Sequence, residues 1–136
     1  MEVLSGMRSA DTGSFNILGE DISSNTSKHP DEMRRMKVGH IPEDRHTHGL
    51  ILDFEARENI IFGFHNDVEA GQGRFLNQDN ITKLCDQLMQ KFDVRPPNPF
   101  LSAKNFSGGN QQKLVIAREM NASPKVLIVG QPTRGV

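Results

Sequence analysis

Residues Phe106–Lys113 read FSGGNQQK, and they are the most informative stretch of the chain. Ser107 stands directly before Gly108 and Gly109, and the residues that follow predict a helix that runs to Met120. Glycines let a backbone approach a ligand closely, and a helix start offers free N–H groups and the positive end of the helix dipole. Together with the Ser107 hydroxyl, these groups suit an anionic oxygen such as a phosphate. A plain N-cap followed by a glycine turn explains the same residues.

Apolar runs on both sides of this stretch predict short strands. Downstream, Val126–Val129 is an unbroken apolar run, as expected for a buried parallel strand. Upstream, Val38–Ile41 is a second short apolar run. Phe15 and Ile17 alternate with polar neighbours, which is typical of a strand, and a turn is predicted over Gly19–Asp21. The sequence therefore belongs to the α/β class, with short strands flanking a mainly helical middle.

A long amphipathic helix is predicted between Asn77 and Phe92. Its apolar residues recur at intervals of three and four positions, as one face of a helix requires: Ile81, Leu84, Cys85, Leu88, Met89 and Phe92. Asn77 is a favourable N-cap, and Pro96, Pro97 and Pro99 end the helix. Packing in the core explains this apolar face better than contact with a partner protein does.

The remaining segments are predicted with shorter patterns. Pro30–Arg35 is predicted to be a short helix that opens on its proline. Asp53 is predicted to cap a helix over Phe54–Phe62. Glu43–Gly49 and Asn66–Gly73 are rich in charged or polar residues and glycine, so both are predicted to be loops.

Charge and composition exclude several classes of protein. The chain has 16 Lys and Arg residues against 17 Asp and Glu residues, so its net charge of -1 gives no basic surface for nucleic acid. Its single cysteine, Cys85, has no partner within the chain for a disulfide and fits a reducing compartment. No apolar run is long enough to span a bilayer, and the N-terminus lacks the apolar core of a signal peptide. We therefore expect no nucleic-acid partner and at most a peripheral position at a membrane.

The residues that follow FSGGNQQK complete a recognisable pattern. LVIAREM continues the helix and contains Ala117 and Arg118, Pro124 turns the chain, and VLIVGQPTRG opens with the apolar run Val126–Val129. In order and spacing these parts resemble the ATP-binding cassette (ABC) ATPase family. That family has a Ser-Gly-Gly signature, a helix containing Ala-Arg, a proline turn and a hydrophobic Walker B strand.

The resemblance extends over nearly the whole chain. DTGSFNILGEDI (Asp11–Ile22) is similar to the family's early hairpin, and VGHIPED (Val38–Asp44) is similar to the strand that enters its Q-loop. HIPEDRHTHGLILDF (His40–Phe54), Asn110 and the ending QPTRGV resemble the second cassette of simple-sugar and nucleoside importers. In those proteins two cassettes are usually fused in one chain.

The resemblance implies a fold, a location and a set of partners. Residues 1–136 would form a single partial ABC ATPase domain of the P-loop NTPase-like fold. Within it, 1–45 would hold the hairpin and the Q-loop-like region, 46–121 the helical subdomain with the signature, and 122–136 the Walker B-like strand. Such domains use ATP and Mg²⁺ at the cytoplasmic face of the plasma membrane. Their partners are a second cassette, transmembrane permease subunits and, indirectly, a substrate-binding protein.

Several motifs of an active cassette are missing or altered. No G-x-x-x-x-G-K-[S/T] phosphate loop occurs in the sequence, which suggests a piece that lies between the two Walker motifs. Gly130 and Gln131 stand where the resemblance implies a Mg²⁺-binding aspartate and a catalytic glutamate. Glycine offers a metal no side chain, and glutamine is not a base. Glu43 replaces the Q-loop glutamine. We therefore expect no catalytic residue and no tightly bound cofactor in this chain alone.

The signature, in contrast, is intact. In the family two cassettes pair head to tail, and the signature of one closes over the ATP that the other holds. The resemblance therefore implies that Ser107, Gly108, Gly109, Asn110 and Gln111 bind a nucleotide held by a partner cassette. Substitutions at Gly130 should then matter little, since that position has already lost its carboxylate.

Three other interpretations remain open at this point. The chain would serve as a non-catalytic docking or regulatory module if it contacts the membrane subunit without binding nucleotide itself. A metal site is conceivable because five ligand-type residues lie within nine positions: His40, Glu43, Asp44, His46 and His48. Their spacing is loose, and such charged loops are usually solvated, so we expect no metal. A DNA-bound member of the family is disfavoured by the balanced charge.

Overall fold

The computed structural model describes residues 2–23, 28–64 and 77–130, so the predicted loop Asn66–Gly73 and Gln131 lie outside the described residues. In chain order the elements are β1 (Ser14–Ile17), β2 (Glu20–Ser23), α1 (Pro30–Arg35), β3 (Val38–Ile41), α2 (Arg45–His48), α3 (Ala56–Ile61), α4 (Gln78–Lys91), α5 (Gly108–Asn121) and β4 (Val126–Val129). A 3₁₀ turn at Ala103–Asn105 precedes α5. This mixture of helices and short strands confirms the predicted α/β class.

β1 and β2 form an antiparallel hairpin. Ser14 pairs with Ser23 at one end and Ile17 with Glu20 at the other. Leu18 and Gly19 both adopt positive φ, 54° and 87°, which is the backbone of a tight two-residue hairpin turn. The turn therefore comes earlier than the predicted Gly19–Asp21, because a two-residue turn already reverses the chain and leaves Glu20 free to pair.

The two apolar runs pair with each other as parallel strands. In β3 and β4, Val38 is opposite Val126 and Ile41 is opposite Val129. Parallel neighbours need a crossover connection, and here α2, α3, α4 and α5 lie between the strands in sequence. The prediction of a buried parallel strand from Val126–Val129 is confirmed in its pairing, although Val129 is 37% exposed in the described structure.

The helices enclose the main core. α3 and α4 pack against α5, and α4 begins as predicted, because the Asn77 side chain accepts hydrogen bonds of 3.1 Å from the N–H groups of Asp79 and Asn80. The buried residues of this core include Ile41, Leu50, Ala56, Ile60, Cys85, Leu88, Met89, Val94, Ala103, Phe106, Leu114, Val115 and Ala117. Leu84 and Phe92 are half-buried against the same cluster, so the apolar face of α4 is a core face.

The start of α3 differs from the prediction. Its N-cap is Glu55, which forms a reciprocal capping box with Glu58. Asp53, the predicted cap, instead places its carboxylate 2.8 Å from the Lys104 ammonium, and this contact lowers the pKa of the Asp53 carboxyl group. The prediction was wrong because Asp53 has a cation within reach, whereas Glu55 has a matching glutamate one turn later.

The predicted loop Glu43–Gly49 contains the short helix α2. The Asp44 carboxylate caps it by accepting from the N–H groups of His46 and Thr47 at 2.9 and 3.2 Å, and from the Thr47 hydroxyl at 2.7 Å. These bonds lower the pKa of the Asp44 carboxyl group. None of the four α2 residues is buried. The prediction failed because it relied on the charged and polar composition of the segment, and a helix without a core face shows no apolar periodicity to correct it.

A buried ion pair fixes the middle of the fold. Arg118 and Glu119 on α5 are only 3% and 1% exposed, and Arg118 Nε donates to Glu119 Oε1 at 3.0 Å. Arg118 Nη1 donates to the carbonyl of Gly49 at 2.8 Å and to that of Asn59 at 3.4 Å. Glu119 Oε2 accepts from the backbone N–H of His40 at 3.3 Å. One pair of side chains therefore ties α5 to β3, to the end of α2 and to α3.

The end of β4 lies close to the segment that follows β3. The Gly130 N–H donates to the carbonyl of Ile41 at 2.9 Å. A methyl group at position 130 would lie 2.9 Å from the backbone nitrogen of Glu43 and 3.2 Å from its Cα. Backbone atoms cannot move aside as the end of a side chain can, so this approach requires glycine. The expectation that substitutions at Gly130 matter little to ATPase activity stays a prediction, whereas this close approach predicts a cost in folding stability.

Replacing Arg118 with methionine is expected to destabilise the fold by about 3–5 kcal/mol, because Glu119 then keeps an unpaired buried charge. The double variant Arg118→Met/Glu119→Gln removes both charges and should recover part of that loss. Urea denaturation of both variants measures the effect. A single variant within about 1 kcal/mol of the parent, well below the expected cost of an unpaired buried charge, would show that the pair has no such role.

Replacing Gly130 with alanine is expected to cost about 1–3 kcal/mol, because the added methyl group meets backbone atoms of Glu43. Gly39→Ala is the matched control, since its methyl group would lie 2.9 Å from Leu127 Cδ1, which a change of rotamer can move away, and 3.2 Å from Pro124 Cβ, so it meets side-chain atoms only. Thermal melting should rank Gly130→Ala below Gly39→Ala. The reverse order would contradict the close approach of the two backbone segments.

Candidate functional site

The signature stretch forms the exposed start of α5. Ser107 is exposed and has the extended backbone of an N-cap, with φ −61° and ψ 156°. Its Oγ accepts from the backbone N–H of Asn110 at 3.4 Å and from Asn110 Nδ2 at 2.9 Å. The prediction of an N-cap is confirmed. A hydroxyl that accepts from Asn110 still has a proton to donate, so capping does not prevent Ser107 from binding an anion.

Gly108 and Gly109 form the first turn of α5, and both are half-buried. The first N–H that bonds within the helix is that of Gln111, which donates to the carbonyl of Ser107 at 2.9 Å. An α-helix offers no internal acceptor to the N–H groups before it. The two glycine amides therefore stand beside the Ser107 hydroxyl at the positive end of a helix of 14 residues.

The loop after α4 holds this helix start in place. Asn110 Oδ1 accepts from the backbone N–H of Arg95 at 2.8 Å. Lys113 Nζ donates to the carbonyl of Asp93 at 2.7 Å and lies 3.3 Å from its carboxylate. Hydrogen bonds from Arg95 and Lys113 lower the pKa of the Asp93 carboxyl group. Asn110 therefore lies in the first turn of α5 and also fixes the position of that turn.

Gln111 differs from the other four signature residues because its side chain is turned into the protein. It is 5% exposed. Its Oε1 accepts from Arg45 Nε at 3.2 Å and lies 2.8 Å from His46 Nε2, while its Nε2 donates to the carbonyl of Ala103 at 3.0 Å. The sequence singled out Gln111 as a nucleotide ligand but did not single out Arg45, His46 or Ala103 as its neighbours.

The other predicted site residues meet at the end of β4. Glu43 and Gly130 are neighbours there, as the close approach of their backbones shows. A cleft of about 700 Å³ opens beside Glu43, and its lining includes the carboxylates of Glu2, Asp11 and Asp44 as well. The lining also includes His40, His48 and Arg8, whose guanidinium lies 3.6 Å from the Asp11 carboxylate. Such an acidic lining is unfavourable for a triphosphate unless cations come with it.

Metal and thiol chemistry find little support in the described structure. Within residues 2–23, 28–64 and 77–130, no group of three or more His, Cys, Asp or Glu side chains is placed to hold a metal ion. Burial lowers the pKa of the His40 imidazole, although the Glu119 carboxylate opposes this shift. Burial raises the pKa of the Cys85 thiol to about 12, so it is not a reactive nucleophile. None of the helices in the described ranges is long and apolar enough to cross a membrane.

Curated relatives match the chain along its whole length. It is 39% identical over 136 residues to the nucleoside import ATP-binding protein NupA of Lactococcus lactis subsp. cremoris. It is 38% identical to the guanosine import ATP-binding protein NupO of Bacillus subtilis and 37% identical to the ribose import ATP-binding protein RbsA of Halalkalibacterium halodurans. Each match covers all of this chain but 26% of the relative, so the chain spans about a quarter of their length.

Solved structures with the same fold are ATP-binding cassettes. A dimeric bacterial ABC transporter cassette matches 99% of this chain and 55% of its own with a TM-score of 0.72 and 20% identity. A nucleotide-free cassette matches 99% and 53% with a TM-score of 0.71 and 19% identity. The family model described as ABC transporter matches residues 1–134. Within the ABC transporter family, to which this chain belongs, it forms part of the ATP-binding domain.

Proposed function

We propose that the chain is part of the ATP-binding subunit of an importer for nucleosides or simple sugars, in which its signature completes the ATP site of a partner cassette. The observation that carries this proposal is the exposed, capped start of α5, where the Ser107 hydroxyl stands beside the amides of Gly108 and Gly109. The relatives named as nucleoside, guanosine and ribose import proteins support the solute class.

The chemistry of this helix start suits the end of a triphosphate. The Ser107 hydroxyl accepts from Asn110 and donates its own proton to a γ-phosphate oxygen. The amides of Gly108 and Gly109 and the helix dipole offset the charge on the same group. Donors that are already aligned lose little free energy in reorganisation when charge develops during phosphoryl transfer. ATP and Mg²⁺ are held by the phosphate loop of the partner cassette.

The end of β4 does not contribute catalysis in this proposal. Gly130 has no side chain to hold Mg²⁺, and Gln131 is not a base for the attacking water. Glu43 adds a carboxylate where phosphates would have to lie. The two cassettes therefore divide the work: the partner holds and hydrolyses ATP, and this chain supplies the signature that closes over it.

The assembly follows from the same reasoning. A second cassette is fused to this one, as suits relatives about four times as long as this chain. Residues 1–45 contain the hairpin and Q-loop-like region, 46–121 the helical subdomain and 122–136 the Walker B-like strand. The subunit lies at the cytoplasmic face of the plasma membrane against transmembrane permease subunits, which take solute from a substrate-binding protein.

In the full-length transporter, Ser107→Arg is expected to lower ATPase activity at least a hundredfold, because a bulky cation replaces the hydroxyl that meets the γ-phosphate. Gln87→Arg is the matched control, since it adds the same side chain at an exposed position of α4. Steady-state phosphate release measures both. Ser107→Arg activity close to that of Gln87→Arg would refute the role of the signature.

The 136-residue chain is expected to bind ATP, in the presence of Mg²⁺, with a dissociation constant above about 1 mM, because its sequence contains no phosphate loop. Isothermal calorimetry measures the affinity, and the full-length protein is the positive control. Micromolar affinity, or ATP turnover by this chain, would contradict the proposal. Weak binding together with normal activity of full-length Ser107→Arg would instead favour a docking module that contacts the membrane subunit without touching nucleotide.

A further inference from the structure

We infer that Gln111 is a positioning residue and that it couples the segment 43–49, which follows β3, to the signature. This inference rests on the proposed function, since it concerns how the signature is held for the partner's ATP. Gln111 then serves to hold the signature in place and not as a nucleotide ligand, and Arg45 and His46 act by holding Gln111.

The Gln111 side chain is buried and forms its hydrogen bonds within its own chain. A glutamine oxygen has two acceptor sites, and here Oε1 faces Arg45 Nε at 3.2 Å and His46 Nε2 at 2.8 Å. Its Nε2 donates to the carbonyl of Ala103, in the 3₁₀ turn that leads into the signature. The side chain is only 5% exposed and both acceptor sites of its oxygen are occupied, so it joins three segments of the chain instead of facing a phosphate.

The segment 43–49 depends on α5 for its position. α2 spans only four residues and buries none of them, so it is too short to be stable without tertiary contacts. At its start, Arg45 and His46 contact Gln111. At its end, the Gly49 carbonyl accepts from Arg118 at 2.8 Å. Both ends of α2 are therefore held by the helix that begins with the signature.

Movement of this segment reaches the signature within one helical turn. The Gln111 N–H donates to the Ser107 carbonyl at 2.9 Å, and this is the first hydrogen bond of α5. A shift of Arg45 and His46 that pulls Gln111 therefore moves the turn that carries the Ser107 hydroxyl. The same segment approaches Gly130 through Glu43. It thus connects the end of β4 with the start of α5.

The test uses the full-length transporter and separates kcat from the KM for ATP. In Arg45→Ala/His46→Ala, kcat is expected to fall at least fivefold, because Gln111 loses both donors and the signature is no longer held in register. KM should change less than twofold, because the partner's phosphate loop binds ATP first. His46 is exposed and Arg45 is half-buried, so the variant keeps its core, and a thermal melt verifies this.

Two matched variants make the result specific. His46→Gln restores a donor of similar reach and should recover at least half of the kcat lost in His46→Ala. His48→Ala lies on the same short helix, and among the described contacts its side chain has none with Gln111, so its kcat should match the parent. A loss below fivefold in the double variant, an equal loss in His48→Ala, or no recovery with His46→Gln would overturn the inference.

Failure of this inference differs from failure of the proposed function. If Ser107→Arg abolishes activity while Arg45→Ala/His46→Ala is fully active, the signature closes the partner's site but Gln111 does not position it. If Ser107→Arg is active, the proposed function itself fails, whatever the α2 variants do.

Discussion

The buried pair of Arg118 and Glu119 is the contact on which the other elements depend for their positions. Both side chains lie within the protein, where an unpaired charge is costly, so each must find its partner and its remaining hydrogen bonds in the native arrangement. Those bonds reach Gly49, Asn59 and His40, which belong to three different segments. Hydrophobic packing allows α5 several neighbouring positions, but this set of bonds allows only one. Its contribution lies in geometry more than in net stability.

This geometry explains how a four-residue helix has a fixed place. α2 contributes nothing to the core, yet Asp44 caps its start and α5 holds it at Gln111 and at Arg118. Glu43, which directly precedes the cap residue Asp44, lies against Gly130, where an added side chain would meet its backbone atoms. Glycine at position 130 therefore has a steric role. It permits a closer approach of the two backbone segments than a carboxylate at that position would allow.

The features that depend on neighbouring residues, such as helix periodicity, N-caps and apolar runs, were predictable from the sequence. The spacing along α4, its Asn77 cap, the two apolar runs that form β3 and β4, and the Ser107 cap each follow from residues that are close in sequence. The pairing of β3 with β4 joins residues that are far apart in the chain, and the sequence did not predict it. The misses involve distant partners or helices without a core face. Asp53 looked like a cap because the residues around it in sequence do not reveal its actual partner. That partner is Lys104, which lies 51 residues away.

Gln111 is the clearest example of what sequence could not reveal. It stands two positions after Gly109, so it was grouped with the glycines as a ligand, but its side chain is buried and contacts Arg45, which is 66 residues distant. Long-range placement of this kind is set by the whole core, and a single sequence does not show it.

In the proposed function, an intact signature is combined with an altered Walker B end, and this combination has a physical basis. The signature needs one hydroxyl and two free amides, and the fold supplies these through a cap, a helix start and the support of Asn110 and Gln111. Asn110 is held by Arg95 in the loop after α4, and Gln111 Nε2 by the Ala103 carbonyl, so neither of these two contacts involves a carboxylate at the end of β4. A hydrolytic centre needs specific carboxylates, which Gly130 and Gln131 cannot replace. Under the proposed function, a cassette can therefore lose its own chemistry without losing the surface that completes the chemistry of another.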